Sequence, residues 1–195
     1  MDYLLTLSMS VDNGLAVIYD AVLRLKGLKR TGWLERGVRG AESVAAHSYA
    51  VALLSMILAD IKGLDVEEAV RMALIHDLPE AFIGDLTPGE KERMRDFQER
   101  EMGAIMEMAK ALPGRASEKL IRTWRRYSEG SSDVARLVRD VDKLEMGLQA
   151  LSYIRSGYSG AWEIYESALR EIRDPELREL LRRLGERQLN TSHVT

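Results

Sequence analysis

The chain contains no cysteine, only four prolines and only two phenylalanines among its 195 residues. The lack of cysteine excludes disulfide bonds and thiolate metal ligands, and it fits a reducing compartment. Neither sign of charge is in large excess, since 28 Lys and Arg stand against 31 Asp and Glu, which gives a net charge of −3. Without a basic excess, we do not expect the protein to bind a nucleic-acid polymer.

Long hydrophobic runs are also missing. No uninterrupted apolar stretch reaches the ~18–20 residues that cross a bilayer. The first five residues, MDYLL, lack the basic region of a secretory signal. The sequence therefore predicts a cytoplasmic protein with no membrane partner. A hydrophobic share of 46% and a charged share of 30% are typical of a globular chain, and 195 residues fit one domain spanning 1–195.

Helical periodicity dominates what is present. Strand-like alternation is nearly absent, so the pattern predicts an all-α, single-domain bundle. The strongest stripe recurs every three or four residues and comprises Val134, Leu137, Val138, Val141, Leu144, Leu148 and Leu151. Glycine, proline and capping residues predict further helices at about 14–28, 43–61, 65–78, 87–112, 116–127, 160–170 and 175–189, with a connector at 29–41.

Two of the three histidines lie in apolar helical segments, whereas His193 lies in a polar tail. Taken alone, His47 is most simply a hydrogen-bonded core histidine, because an unsatisfied buried polar group costs roughly 1–3 kcal/mol. Asp77 follows His76 directly and has apolar residues on both sides. A buried carboxylate needs a charged partner or a metal ion, so this pair indicates a metal site.

The fourth candidate ligand is Asp142, at the margin of the 134–151 stripe. Its ordinary interpretation is a charge on a helix flank, paired with Arg139 or Lys143. Asp140 is its rival, but the two point about 200° apart around the helix, so both cannot face one site. Two imidazoles and two carboxylates suit one divalent Mn, Co, Zn, Fe or Ni ion better than Mg or Ca.

Three motifs resemble those of the HD-domain metal-dependent phosphohydrolases. They are ESVxxHS at 42–48, HDLPEAxxGDLTP at 76–88 and DKLEMxxQA at 142–150. The similarity covers about 30–153 and is greatest to the 5′-deoxynucleotidase branch with its archaeal and eukaryotic relatives. Helices at 160–190 are then expected to pack on this HD-domain helical bundle.

The resemblance implies a reaction and a set of site residues. The reaction is hydrolysis of a (deoxy)nucleoside 5′-monophosphate to nucleoside and phosphate. The implied metal ligands are His47, His76, Asp77 and Asp142. Glu80 is implied in catalysis, Asp85 in contact with the deoxyribose, and Trp33 in stacking on the nucleotide or walling its pocket.

The sequence departs from the family pattern at two places. Gly32 stands where the bacterial nucleotidases have a phosphate-orienting arginine, although Arg30 is near. Ala46 stands where the family commonly has a glutamate. Because Ala46 is the position of a capping-box glutamate if Ser43 caps the helix, this loss affects the helix start rather than the chemistry.

Alternatives stay open for several residues. Glu80 could be a surface glutamate after a helix stop, Asp85 a turn-holding carboxylate, and Trp33 a core plug under the connector. Lys143 and Glu145 are expected to pair at the surface or behind the ligands. The apolar residues of the last helix could pack internally or form the seam of a homodimer; they are Leu177, Leu180, Leu181 and Leu184.

The function also has alternatives. One is a different HD phosphohydrolase, acting on nucleoside triphosphates, cyclic dinucleotides or alarmones. Another is a non-catalytic helical scaffold or sensor that keeps the metal for stability.

Overall fold

The structure is a computed structural model that describes the backbone of residues 2–191 and the side chains of residues 11–187. His193 lies outside the described residues. The described part is all-α, as predicted, with no strand and one isolated bridge between Lys29 and Ser43. Its helices are α1 (Asp2–Gly27), α2 (Thr31–Glu35), α3 (Val44–Lys62), α4 (Val66–Ile75), α5 (Glu80–Ile83), α6 (Pro88–Arg93), α7 (Phe97–Ala111), α8 (Gly114–Glu129), α9 (Asp133–Arg155), α10 (Ala161–Glu171) and α11 (Pro175–Thr191).

Helix α9 is the central element of the fold. It packs against α3, α4, α8, α10 and α11. The predicted stripe is its buried face, with Val138 and Val141 fully buried and Leu144 and Leu151 nearly so. A second cluster lies between α1, the start of α3, α5, α7 and α8. These two clusters of apolar side chains fix the helices that carry the candidate site residues.

Side-chain caps fix where the site helices begin. The hydroxyl of Ser43 accepts the backbone N–H of Ala46 at the start of α3. Asp65 accepts the N–H of Glu68 at the start of α4, as the sequence predicted. At α6, the backbone N–H and hydroxyl of Thr87 both donate to Glu90, at 2.8 and 2.9 Å. Each cap satisfies backbone or hydroxyl groups that the first turn would otherwise leave unpaired.

Several predicted boundaries are wrong. The helix expected at 65–78 ends at Ile75, and a turn at 76–79 leads into the short helix α5. The helix expected from Thr87 is split, because Met94 adopts an extended conformation (φ −92°, ψ 97°) between α6 and α7. The connector contains α2, and α1 begins before Gly14. Gly14 faces the backbone of α7, where an added Cβ would lie 2.6 Å from the oxygen of Ala111.

The last helix packs internally. Leu177 and Leu181 are buried against the α9 core, and Leu180 is partly buried on the same cluster. Of the two alternatives for these leucines, internal packing is therefore the one that the structure shows. The homodimer itself stays a prediction, and Leu180 and Leu184 are only partly buried.

Helix α3 is hydrophobic on both of its sides. By length and composition it could cross a membrane, with a mean hydropathy of 1.7 over 18 residues, although core helices of soluble proteins pass the same test. One side holds the buried residues Val44, His47, Val51 and Ala59. The other side faces solvent.

Candidate metal centre

Three helices bring the four candidate ligands together. His47 lies in the first turn of α3 and is fully buried. His76 and Asp77 follow the last residue of α4, where the helix gives way to a turn. Asp142 lies in the middle of α9. The four side chains come from positions up to 95 residues apart, and the packing of α3 and α4 on α9 makes them neighbours.

The ligand atoms converge on one point. His47 Nε2 lies 3.1 Å from a carboxylate oxygen of Asp142 and 3.6 Å from one of Asp77. His76 Nε2 lies 3.1 Å from the same oxygen of Asp77. One ligand atom each from His47, His76 and Asp142 lie within 4.8 Å of one another.

The donor set fits a divalent cation. Both Nε2 atoms of His47 and His76 are buried and have no hydrogen-bond partner within the described residues. Buried polar atoms in native proteins are almost always paired. Two orphaned imidazole nitrogens that face two carboxylates are what a transition-metal ion would satisfy.

The other nitrogen of each imidazole is held from behind. His76 Nδ1 lies 2.7 Å from the backbone oxygen of Ala73. His47 Nδ1 lies 2.5 Å from Glu145, which is 5% exposed. Such partners fix the tautomer and aim Nε2 at the metal position. The sequence indicated this role for Glu145 only loosely, although it lies three residues after Asp142 and so on the same face of α9.

The carboxylates make the centre strongly negative. Burial by itself would raise the pKa of Asp142, but Lys143 and His47 hold it well below its usual range. Burial and Arg30 by themselves would lower the pKa of His47, but Asp142 and Glu145 raise it to about 10. The electrostatic field of these carboxylates therefore favours a positive charge beside His47 Nε2. A bound cation would supply that charge.

Glu80 lies at the start of α5 and is 5% exposed, so it is not a surface glutamate. One carboxyl oxygen lies 3.4 Å from the ammonium of Lys91, and the other is buried without a hydrogen-bond partner among the described residues. Burial and the negative charge of Asp77 raise the pKa of Glu80 to about 9. A carboxyl group in such a position can hold a proton near neutral pH and pass it on.

Arg30 provides a buried cation beside the ligands. Its guanidinium lies 3.0 Å from Asp77 and 3.8 Å from Asp85. Burial alone would lower its pKa, but these two carboxylates raise it. Arg30 lines a cavity of about 890 Å³ together with Asp77, Asp85, Lys91, Asp142 and Lys143. The cavity thus joins two of the candidate ligands, Asp77 and Asp142, to several basic side chains.

Asp85 has a structural contact as well as a place in the cavity. Its carboxylate accepts the backbone N–H of Thr31 at the start of α2, and its backbone oxygen accepts the Thr31 hydroxyl at 2.7 Å. Asp85 therefore has a structural role, but it holds the start of α2 rather than its own turn. Because Asp85 also lines the cavity, a contact with a ligand is compatible with the geometry.

Trp33 is a wall residue with little exposed surface, at 2%. Its indole N–H donates to Glu42 at 3.0 Å, and its ring packs edge-on against Tyr153 at 5.0 Å. Burial and the nearby Glu145 raise the pKa of Glu42 to about 7. Trp33 also lines the 890 Å³ cavity, so the geometry is compatible with a wall of the site, while its low exposure fits a core plug.

Asp140, the rival of Asp142, points elsewhere. Its two carboxylate oxygens accept the backbone N–H groups of Arg173 and Asp174, both at 2.9 Å. This carboxylate holds the turn between α10 and α11, on the side of α9 that faces away from His47. The angular argument from the sequence therefore holds, since only one of the two aspartates reaches the imidazoles.

Known proteins resemble this chain over most of its length. The family model described as "HD domain" matches residues 22–184. The protein named 5′-deoxynucleotidase HDDC2 of Dictyostelium discoideum is 39% identical over 137 residues, covering 67% of this chain and 72% of that protein. The protein of the same name from Mus musculus is 32% identical over 184 residues, covering 93% and 92%. The crystal structure of the PH0347 protein from Pyrococcus horikoshii OT3 is 36% identical, covers 86% of this chain and 94% of that chain, and has a TM-score of 0.70.

Proposed function

The chain belongs to the HD domain family, and on that premise we propose that it is a metal-dependent 5′-nucleotidase. It hydrolyses deoxynucleoside 5′-monophosphates to deoxynucleoside and phosphate. The relatives named 5′-deoxynucleotidase support this substrate class, because they match most of the chain. The implied partners are a small nucleotide and, as the sequence predicts, a second copy of the chain.

One observation carries the proposal. Two buried imidazole nitrogens, which have no hydrogen-bond partner among residues 11–187, face two carboxylates. A cavity lined by Arg30, Lys91 and Lys143, among other charged side chains, opens beside Asp77 and Asp142. A scaffold would need the first feature for stability, but it has no use for a cavity in which a buried guanidinium lies beside the ligand carboxylates.

His47, His76, Asp77 and Asp142 would hold the ion, which we propose to be Mn, Co, Zn, Fe or Ni. When bound, it supplies positive charge to phosphate oxygens and lowers the pKa of a water molecule. Glu145 keeps His47 in the tautomer that presents Nε2, because it occupies Nδ1.

Gly32 cannot orient the phosphate as the family's arginine does, so other side chains recognise the phosphate. Arg30 presents a guanidinium beside Asp77, and Lys91 and Lys143 line the same cavity. Charge-assisted hydrogen bonds from an arginine fork suit a phosphate dianion. Arg30 therefore fills the role that Gly32 cannot.

Glu80 moves the proton. One of its buried oxygens has no hydrogen-bond partner among the described residues, and its pKa is raised to about 9 by burial and Asp77. Glu80 would act in its carboxylate form, in which it accepts a proton from the attacking water. The protonated Glu80 can then donate this proton to the departing 5′-oxygen, so that the proton taken from water ends on the nucleoside.

A phosphate-release screen tests the proposal. Deoxy- and ribonucleoside 5′-monophosphates are each assayed with Mn, Co, Zn and Mg. We expect deoxynucleotides to be cleaved with a transition metal. Glu80→Gln should lower turnover ~10²-fold or more at unchanged metal content, whereas the exposed control Glu107→Gln should not. No phosphate from any pairing, or full activity in Glu80→Gln, would contradict the proposal.

A further inference from the structure

The candidate metal centre borders two cavities. The cavity of about 890 Å³ that holds Arg30 is lined by Asp77 but not by His76. A second cavity, of about 1250 Å³, is lined by His76 and by residues of α7 and α8, but not by Asp77. Asp142 lines both cavities. A group bound at the centre is therefore within reach of side chains from either cavity.

Tyr127 is the residue of α8 that packs against the centre. Its ring lies edge-on to the imidazole of His76, with 5.8 Å between the ring centroids, and it lines the second cavity. Burial raises the pKa of the Tyr127 phenol well above its usual range, and the negative charges of Asp142 and Asp77 raise it further. The hydroxyl is thus close enough to two candidate ligands to be affected by their charge, and it keeps its proton near neutral pH.

The hydroxyl of Tyr127 is an unused donor. Within residues 11–187, the hydrogen bonds of Tyr127 use its backbone, and the hydroxyl has no partner. Phenylalanine would fill the same space if only the ring mattered, and a buried hydroxyl without a partner is costly. One turn earlier on α8, the buried indole N–H of Trp124 also lacks a partner in this part of the chain. Both residues line the second cavity, so the wall formed by α8 suits a ligand that accepts hydrogen bonds.

Arg139 of α9 fixes the position of Tyr127. Its Nε donates to the backbone oxygen of Tyr127 at 3.1 Å, and its Nη2 donates to the backbone oxygen of Ser128. The same guanidinium lies over the Tyr127 ring, 5.5 Å from the centroid. Both the end of α8 and the ring are therefore held before any ligand binds. A donor that is already in place contributes more to binding than one that must first be ordered.

We propose that the hydroxyl of Tyr127 donates a hydrogen bond to a phosphate oxygen of the substrate, from the second cavity, while Arg30 binds the same phosphate from the first. The inference rests on the proposed nucleotidase function and adds a substrate-binding residue to it. A phosphate group presents three acceptor oxygens, so Arg30 and Tyr127 can bind different ones. Because the acceptor is charged, the bond from a neutral phenol is stronger than one between two neutral groups.

The variant Tyr127→Phe tests this role, because it removes the hydroxyl and keeps the ring beside His76. Isothermal titration calorimetry measures the binding of inorganic phosphate to the Mn²⁺-loaded protein. We expect the affinity for phosphate to fall ~10–100-fold, which is typical for the loss of a hydrogen bond to a charged group. The kcat/KM for a deoxynucleoside 5′-monophosphate should fall by a similar factor. The affinities for Mn²⁺ and for the free deoxynucleoside should not change.

Tyr158→Phe is the matched control. Tyr158 also packs edge-on against an aromatic ring, that of Tyr153 at 6.1 Å, but it lines neither cavity. Its variant should bind phosphate as the wild-type protein does. A purely structural role of the Tyr127 hydroxyl would instead lower the Tm of the metal-free protein, and we expect no such loss, since the hydroxyl has no partner in the described part of the chain.

Three results would overturn the inference. They are an unchanged phosphate affinity in a Tyr127→Phe protein that retains Mn²⁺, a wild-type protein that binds no phosphate when loaded with Mn²⁺, and a loss of affinity for the deoxynucleoside but not for phosphate. If Tyr127→Phe does not retain Mn²⁺, wild-type crystals grown with Mn²⁺ and tungstate decide. We expect a tungstate oxygen about 2.5–3.0 Å from Tyr127 Oη, and an anion bound away from this hydroxyl would overturn the inference. Phosphate binding is measured without turnover, so the inference can fail while the nucleotidase proposal stands.

Discussion

Removing the carboxylate of Glu145 should weaken metal binding without touching a ligand. Glu145 Oε2 lies 2.5 Å from His47 Nδ1, and both side chains are buried, at 5% and 0% exposure. Mutation of a carboxylate that hydrogen-bonds to a metal-binding histidine typically lowers the metal affinity ~10–100-fold. That range corresponds to about 1.4–2.7 kcal/mol.

Two variants should divide this range. Glu145→Gln keeps an oxygen that can accept from Nδ1 but loses the charge, so we expect about tenfold weaker binding. Glu145→Ala leaves Nδ1 buried without a partner, so we expect a loss nearer 100-fold. The metal-free Ala variant should also unfold ~1–3 kcal/mol more easily, which is the cost of an unsatisfied buried polar group.

Chelator competition with Zn²⁺ or Co²⁺ measures the affinity, and urea unfolding measures the stability. Glu107→Gln is the control, because it removes one negative charge from a side chain that is 64% exposed. The ion-pair partner of Glu107 is Lys110, which is not part of the metal centre. Wild-type affinity in both Glu145 variants would refute the reasoning, whatever happens to stability.

Three further predictions concern Glu80, Asp140 and Arg30. Burial and Asp77 raise the pKa of Glu80 from 4.5 to about 9. Between pH 4.5 and 9, the folded metal-free protein therefore holds a proton on Glu80 that the unfolded chain has released. Stability in EDTA should therefore fall as pH rises through this window, and Glu80→Gln should raise the Tm at pH 8 but not at pH 5. Asp140→Asn should lower stability by about 1–2 kcal/mol, because it weakens two backbone hydrogen bonds, and should leave metal content unchanged; lost metal would contradict its assignment. Arg30→Lys should lower kcat/KM for a nucleotide ~10-fold or more because the planar fork is lost; unchanged steady-state kinetics would exclude Arg30 from phosphate recognition.

The parts of the site that sequence could predict are those governed by local pattern. His76 and Asp77 stood out because charged groups inside an apolar segment need a partner. Helical geometry predicted only that Asp140 and Asp142 cannot both face one site, and the family resemblance favoured Asp142. The packing of α3 on α9 brings Asp142 to His47 and leaves Asp140 at another turn.

The parts that could not be predicted depend on long-range packing. Nothing local to Trp33 shows that its indole N–H meets Glu42 and that its ring is covered by Tyr153. The contact between Glu145 and His47 joins residues 98 positions apart. The break at Met94 has no glycine or proline beside it, so the pattern gave no sign that α6 and α7 are separate.

The buried face of α3 was also beyond prediction. Its apolar residues occur all round the helix, so periodicity alone cannot say which side meets the core. The position of His47 on the covered side and of Tyr49 on the open side becomes evident only when α3 is packed against α4 and α9.

Anomalous diffraction from crystals grown with Zn²⁺ tests the central claim most directly. We expect one strong peak about 2.0–2.1 Å from Nε2 of both His47 and His76, with oxygens of Asp77 and Asp142 completing the protein ligands. A peak found only among surface carboxylates, or none near the two imidazoles, would contradict the account.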